Sequence, residues 1–156
     1  MTAARTLALS TPEATAKLGR AVAAKLRAGD AVCLSGPLGA GKSALARALI
    51  RALTSPDEEV PSPTFTLVQT YDGPGFPIAH FDLYRLAAPE EAVEIGVYEA
   101  LDIGAAVIEW PERLGAALPA DRLDIRLEPA PDRGASEGRV ASLTPWGTWI
   151  GREPSL

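Results

Sequence analysis

The sequence has no asparagine, one cysteine, one histidine and, among fifteen basic residues, only three lysines. Each scarcity removes a class of function. Without asparagine there is no Asn-Lys-x-Asp loop, by which a large class of GTPases reads guanine. Cys33 alone can form no intrachain disulfide and offers zinc no thiolate cluster, and its apolar setting reads as that of a buried, inert thiol. No apolar run approaches bilayer length, and the N-terminus shows no basic segment followed by a signal-like core. The expected compartment is therefore the cytoplasm, with no membrane partner. A net charge of −5 argues against a broad phosphate-backbone footprint, so any nucleic acid is expected to be met through a partner.

At 156 residues, 47% of them hydrophobic, the chain suits one folded domain built on a single sheet. The expected division is a domain over 1–147 and a loose C-terminal tail over 148–156, with Trp146 and Trp149 placed to tether part of it.

The stretch Ala31 to Arg51 organises that domain. Ala31-Val32-Cys33-Leu34-Ser35 is a short apolar strand, Gly36-Pro37-Leu38-Gly39-Ala40-Gly41-Lys42-Ser43 follows, and Ala44 to Arg51 reads as a helix. This is the phosphate-binding loop pattern in its required strand-to-helix context. Backbone N–H groups can wrap a polyphosphate only where side chains do not block them, hence Gly36, Gly39 and Gly41. The nucleotide-binding stretch is accordingly Leu38, Gly39, Ala40, Gly41, Lys42 and Ser43. The following helix aims its free amides and dipole at the same anion. Lys42 can reach the terminal phosphates, and the Ser43 hydroxyl can ligate a bridging Mg2+.

Around this stretch the chain reads as alternating helices and strands. Thr11-Pro12-Glu13 starts a helix whose apolar stripe is Ala14, Leu18, Val22 and Leu26, ending at Gly29-Asp30. A second helix runs from Lys42 to Leu53 with Leu45, Leu49 and Leu53 on one face. In Val60 to Tyr71, Pro61 and Pro63 hold the first part extended, and the β-rich second part reads as a strand. After the turn residues Asp72-Gly73-Pro74-Gly75, Phe76 to Phe81 forms another strand, antiparallel to the last. Helices follow from Pro89 and over Val97 to Ile103, then a fully buried strand Ala105 to Ile108. Leu123 to Leu127 alternates with period two, Pro129 to Gly138 is loop, and Arg139 to Leu143 returns as a hairpin partner. The fold class is α/β, a mostly parallel central sheet flanked by helices with antiparallel additions.

Phosphoryl transfer also needs a carboxylate near the metal and an oriented nucleophile. Two apolar strands end in an acid, Asp82 and Glu109, and strand ends beside the phosphate loop are where open α/β sheets place such groups. Each is a candidate for holding Mg2+, directly or through water, and for polarising the nucleophile. Thr64, in the Pro-Thr segment before Asp82, can bring a hydroxyl or carbonyl toward the metal as switch segments do. His80 shares a strand face with Asp82 and reads as a local hydrogen-bonding residue rather than a proton carrier.

Taken in order, the phosphate loop, Ser62-Pro63-Thr64-Phe65-Thr66-Leu67-Val68, His80-Phe81-Asp82-Leu83-Tyr84-Arg85-Leu86 and Ile108-Glu109-Trp110-Pro111-Glu112-Arg113 resemble the bacterial TsaE (YjeE) family over about Thr11 to Arg113. The resemblance implies a P-loop NTPase fold. It also implies ATP hydrolysis with Mg2+, coupled to threonylcarbamoyladenosine formation in tRNA by TsaD-like and TsaB-like partners. By motif match Lys42 and Ser43 take the nucleotide and metal roles, Asp82 and Glu109 the acidic roles, Thr64 the switch role, and Trp110 shapes the site. Thr11, Pro12 and Arg139 carry over as borders of the base pocket. Pro37 stands where the family has an acid, and Ser43, in place of threonine, keeps the hydroxyl. A small-molecule kinase shares the loop, but such enzymes add an arginine-rich lid, and Arg113, Arg122 and Arg126 read as bound to strands. A nucleotide-gated binding module with negligible turnover differs from the ATPase only in rate.

Overall fold

The computed structural model describes residues 4–130 and 138–154. Seven strands form one sheet in the order β1-β7-β6-β2-β5-β4-β3. They are β1 (Arg5–Leu9), β2 (Ala31–Ser35), β3 (Val68–Asp72), β4 (Pro77–Asp82), β5 (Ala105–Glu109), β6 (Arg122–Pro129) and β7 (Arg139–Trp146). The four neighbours β6, β2, β5 and β4 are parallel, while β1, β7 and β3 attach antiparallel at the margins. The expected fold class is the one observed.

Side-chain alternation splits the interior into two layers. Val32 and Leu34 of β2, with Val107 of β5, Leu123 and Ile125 of β6 and Ile78 of β4, face the helices α1 (Pro12–Ala23) and α2 (Lys42–Leu53). Ala31, Cys33, Ala106, Ile108, Ala79 and Phe81 face the other way, onto α3 (Pro89–Glu94), α4 (Val97–Ile103) and a short 3-10 turn over Pro111–Ala117. Burial raises the Cys33 thiol pKa far above its ordinary value, in keeping with an inert core residue.

Several boundaries differ from the sequence reading, each for a local reason. α1 gives way at Ala24, because the amides of Lys25 and Leu26 switch to carbonyls three residues back. Leu26 nevertheless stays buried, so the apolar stripe outlasts the helix. Within Val60 to Tyr71, β3 takes up only the last residues, beginning at Val68. Pro61 and Pro63 offer the ladder no N–H, and Leu67 N–H closes a turn onto Pro63 O at 2.7 Å with Leu67 at φ 70°. β1 was not expected: its short outer-strand sequence alternates too weakly to stand out, and it forms by pairing with β7. β7 runs on to Trp146, beyond the expected Leu143. The loop between β6 and β7 is closed by Ala130 N–H donating to Gly138 O at 3.0 Å, and the loop reading over 131–137 lies outside the described residues. The segment following Gly147 is packed through residue 154: Trp149 is fully buried, and Arg152 bonds the buried Asp30 carboxylate at 2.5 Å just before β2. The expected loose tail is thus packed as far as residue 154, held at Trp149 and Arg152.

Candidate functional site

Strand parity decides which side chains meet at the mouth of α2. Counting by twos from Ile78 and from Val107 puts His80, Asp82 and Glu109 on the layer facing α2, and the register pairs Asp82 directly with Glu109. β2 ends one residue before Gly36, so the loop turns over this same layer before Lys42 opens the helix. Two of its glycines are required by geometry. Gly36 sits at φ 133°, and a Cβ there would lie 2.1 Å from Leu127 O of β6; Gly41 sits at φ 104° against the Arg139 guanidinium.

Lys42 is buried. Its Nζ donates to Gly36 O at 2.5 Å and Pro37 O at 3.0 Å and lies 4.1 Å from the centre of the Trp110 ring. Burial lowers the ammonium pKa from its ordinary value; Glu109, Glu112 and Asp82 oppose that shift, while Arg126 adds to it. Ser43 Oγ donates to Glu109 Oε1 at 3.1 Å, and Glu109 Oε2 meets His80 Nε2 at 2.7 Å. Asp82 is occupied differently. Its Oδ2 accepts from Thr64 Oγ1 at 3.0 Å and Ser62 Oγ at 3.5 Å, and its Oδ1 accepts from Tyr84 N–H at 3.0 Å. Glu109 therefore touches the phosphate-loop helix, and Asp82 holds the Pro-Thr segment.

These groups share a cleft of about 310 Å3, within the range of small-ligand sites. Leu38, Gly39, Gly41, Lys42, Ser43, Thr64, Asp82, Glu109, Trp110 and Arg139 line it, as does Ser62. Ala40 is buried behind the loop, with its N–H on Pro37 O. Thr11 and Pro12 do not line the cleft. Thr11 caps α1 by accepting from Ala14 N–H, and the pair lies just past Leu9, which pairs with Arg139 across β1 and β7. A larger hollow of about 700 Å3 lies beside Trp110 on the opposite layer, where Arg126 is paired with Glu128 at 2.6 Å. Arg122 and Arg126 are both tied to carboxylates of their own strand, so neither forms a lid.

Trp110 adopts a left-handed backbone at φ 60°, unusual for a bulky residue and a mark of a constrained position. Its N–H bonds Leu34 O, and its ring packs on Tyr84 at 4.8 Å and beneath Lys42. Sequence reasoning passed over Ser62 and the bond from His80 to Glu109. The hydroxyl two residues before Thr64 was a signal for the first, and the second required the strand register.

The donor set suits a hard cation bound mainly through a nucleotide. Among the described residues no cluster of three His, Cys, Asp or Glu could cage a metal, whereas Ser43 presents a hydroxyl oxygen whose hydrogen goes to Glu109. Mg2+ is commonly held this way, by few protein oxygens together with substrate phosphates.

Comparison with known proteins agrees with the motif reading. The family model described as "Threonylcarbamoyl adenosine biosynthesis protein TsaE" matches residues 9–137, beyond the Arg113 to which the motifs reach. Among similar proteins named tRNA threonylcarbamoyladenosine biosynthesis protein TsaE, that of Rickettsia conorii is 41% identical over 77% of this chain and 69% of its own. That of Streptomyces coelicolor is 39% identical over 82% and 88%, and that of Mycobacterium bovis 37% over 94% and 90%. The crystal structure of YdiB from Bacillus subtilis superposes with a TM-score of 0.77 at 27% identity, covering 95% of this chain and 89% of that one. The chain belongs to the TsaE family.

Proposed function

We propose that this protein is a Mg2+-dependent ATPase of tRNA threonylcarbamoyladenosine biosynthesis. Its nucleotide cycle serves TsaD-like and TsaB-like partners that carry the transfer chemistry, and tRNA is met only through that assembly. Family membership supports the pathway. The observation that supports the ATPase is the meeting of Lys42, Ser43, Glu109 and Asp82 in one cleft, at the C-terminal edge of parallel strands.

In this reading the amides of the loop between Leu38 and Ser43, apart from that of Ala40, which is held by Pro37 O, and the start of α2 take the phosphates. Lys42 has given two of its three N–H donors to Gly36 and Pro37, which leaves one for a phosphate oxygen. Ser43 and Glu109 hold the cation side of the site, and Mg2+ when bound would offset charge on the outer phosphates. Asp82 anchors Ser62 and Thr64, so the Pro-Thr segment stands over the cleft as the piece that orients water. Arg139, beside Gly41, borders the nucleotide from β7.

The test is phosphate release from ATP and Mg2+ by the isolated protein and with the two partners added. Slow release that rises with partners is the expected result. Transfer of the γ-phosphate to an added metabolite would replace the ATPase by a kinase, and tight binding with no release in either condition would make it a nucleotide-gated binding module.

A further inference from the structure

The only histidine of the chain is buried, between residues of an apolar strand, with Ile78 and Ala79 before it and Phe81 after it. An aliphatic side chain would pack there without any polar demand. Among the described residues His80 instead makes a single polar contact, Nε2 to Glu109 Oε2 at 2.7 Å, and its buried Nδ1 meets no partner. Leaving a buried polar atom unmet costs roughly 1–3 kcal/mol, so the ring has no advantage for folding that its contact with Glu109 does not provide.

We propose that His80 is a positioning residue that acts through Glu109 on the cation-binding hydroxyl of Ser43. The inference rests on the ATPase reading of the site. An ionised carboxylate only accepts, so the ring nitrogen facing Glu109 is the donor. With Oε2 fixed by that bond, Oε1 is the oxygen left for Ser43, at 3.1 Å. The Ser43 hydroxyl has one hydrogen and two lone pairs. Committing the hydrogen to Oε1 turns the lone pairs outward, where a cation bridging phosphates would need them. Without His80, Glu109 can rotate, the hydroxyl loses its fixed orientation, and the cation loses a prepared ligand. Partners one step behind the ligands typically change metal affinity by about 10–100-fold.

The experiment measures ATP affinity by calorimetry, with Mg2+ and with EDTA, for the parent, His80→Leu, His80→Asn and His80→Gln. Glutamine carries its amide N–H to about the reach of Nε2, whereas asparagine, equally polar, falls short. Mg2+ is expected to strengthen ATP binding by the parent and by His80→Gln, and to do so at least about tenfold less for His80→Leu and His80→Asn. Affinities in EDTA should agree across all four, a comparison that a general structural defect would fail. Equal Mg2+ effects in all variants overturn the role of His80 and leave the ATPase reading intact. A parent whose ATP binding ignores Mg2+ overturns that reading and this proposal with it. If His80→Leu does not fold, the comparison of His80→Asn with His80→Gln decides the matter alone.

Discussion

Lys42 carries the heaviest single role in the site, because it is the buried cation of the phosphate loop and its position is fixed by two carbonyls and an indole face. Lys42→Ala is expected to abolish tight ATP binding, and unchanged affinity by calorimetry would remove the loop assignment. Glu109→Gln keeps a similar shape while withdrawing the charge that orients Ser43. It should retain nucleotide and slow hydrolysis by roughly tenfold or more, and turnover equal to the parent would reduce Glu109 to a structural residue. At this scale the sequence was informative wherever chemistry is encoded in neighbours along the chain. Gly36 to Ser43 spell the phosphate-loop pattern in one string, and Asp82 and Glu109 are visible as acids closing apolar runs. What each acid touches was not visible. That Glu109 meets Ser43 while Asp82 meets Thr64 depends on which strands are adjacent and in what register, information that no single segment contains.

Among the elements, the turn from β2 into α2 leaves little room for change at one glycine and ample room at another. At Gly36 an added Cβ would meet the Leu127 carbonyl of the neighbouring strand, whereas at Gly39, also at positive φ, it would meet nothing within 4 Å. Gly36→Ala should therefore destabilise the fold by more than Gly39→Ala, whose cost is the backbone penalty of about 1–2 kcal/mol alone. Denaturant unfolding of the two variants makes the comparison, and equal midpoints would contradict the close approach of β6 to the loop. Among the helices, α1 and α3 were legible because each begins with a readable signal. Thr11-Pro12 caps α1, and Pro89 with Glu90 and Glu91 opens α3. The strands were legible where they are buried on both faces or alternate with period two, as β6 does. β2 and β5 read as unbroken apolar runs, whereas β1, with most of its residues exposed, has no signal apart from its partner.

Across the whole molecule, the last described residues close the interior on the side away from the cleft. Trp149 joins the layer beneath α1 and α2, and Arg152 reaches both the Asp30 carboxylate and Lys25 O, with its guanidinium 4.4 Å from the Trp149 ring. Trp149→Ala is expected to cost about 3–5 kcal/mol, as other large-to-small changes in cores do. An unchanged unfolding midpoint would show that the segment contributes nothing to the core.

The sheet order has a consequence for how the protein is made. Among the described residues the first strand pairs with the last alone, Arg5 with Leu143 and Leu9 with Arg139, while the Arg5 side chain reaches Pro154 O. On a translating ribosome β1 waits, without a ladder, until β7 has emerged, while β2, β4 and β5 can already assemble behind it. Its brevity and largely exposed side chains suit that interval, since they leave little for a wrong partner to grip.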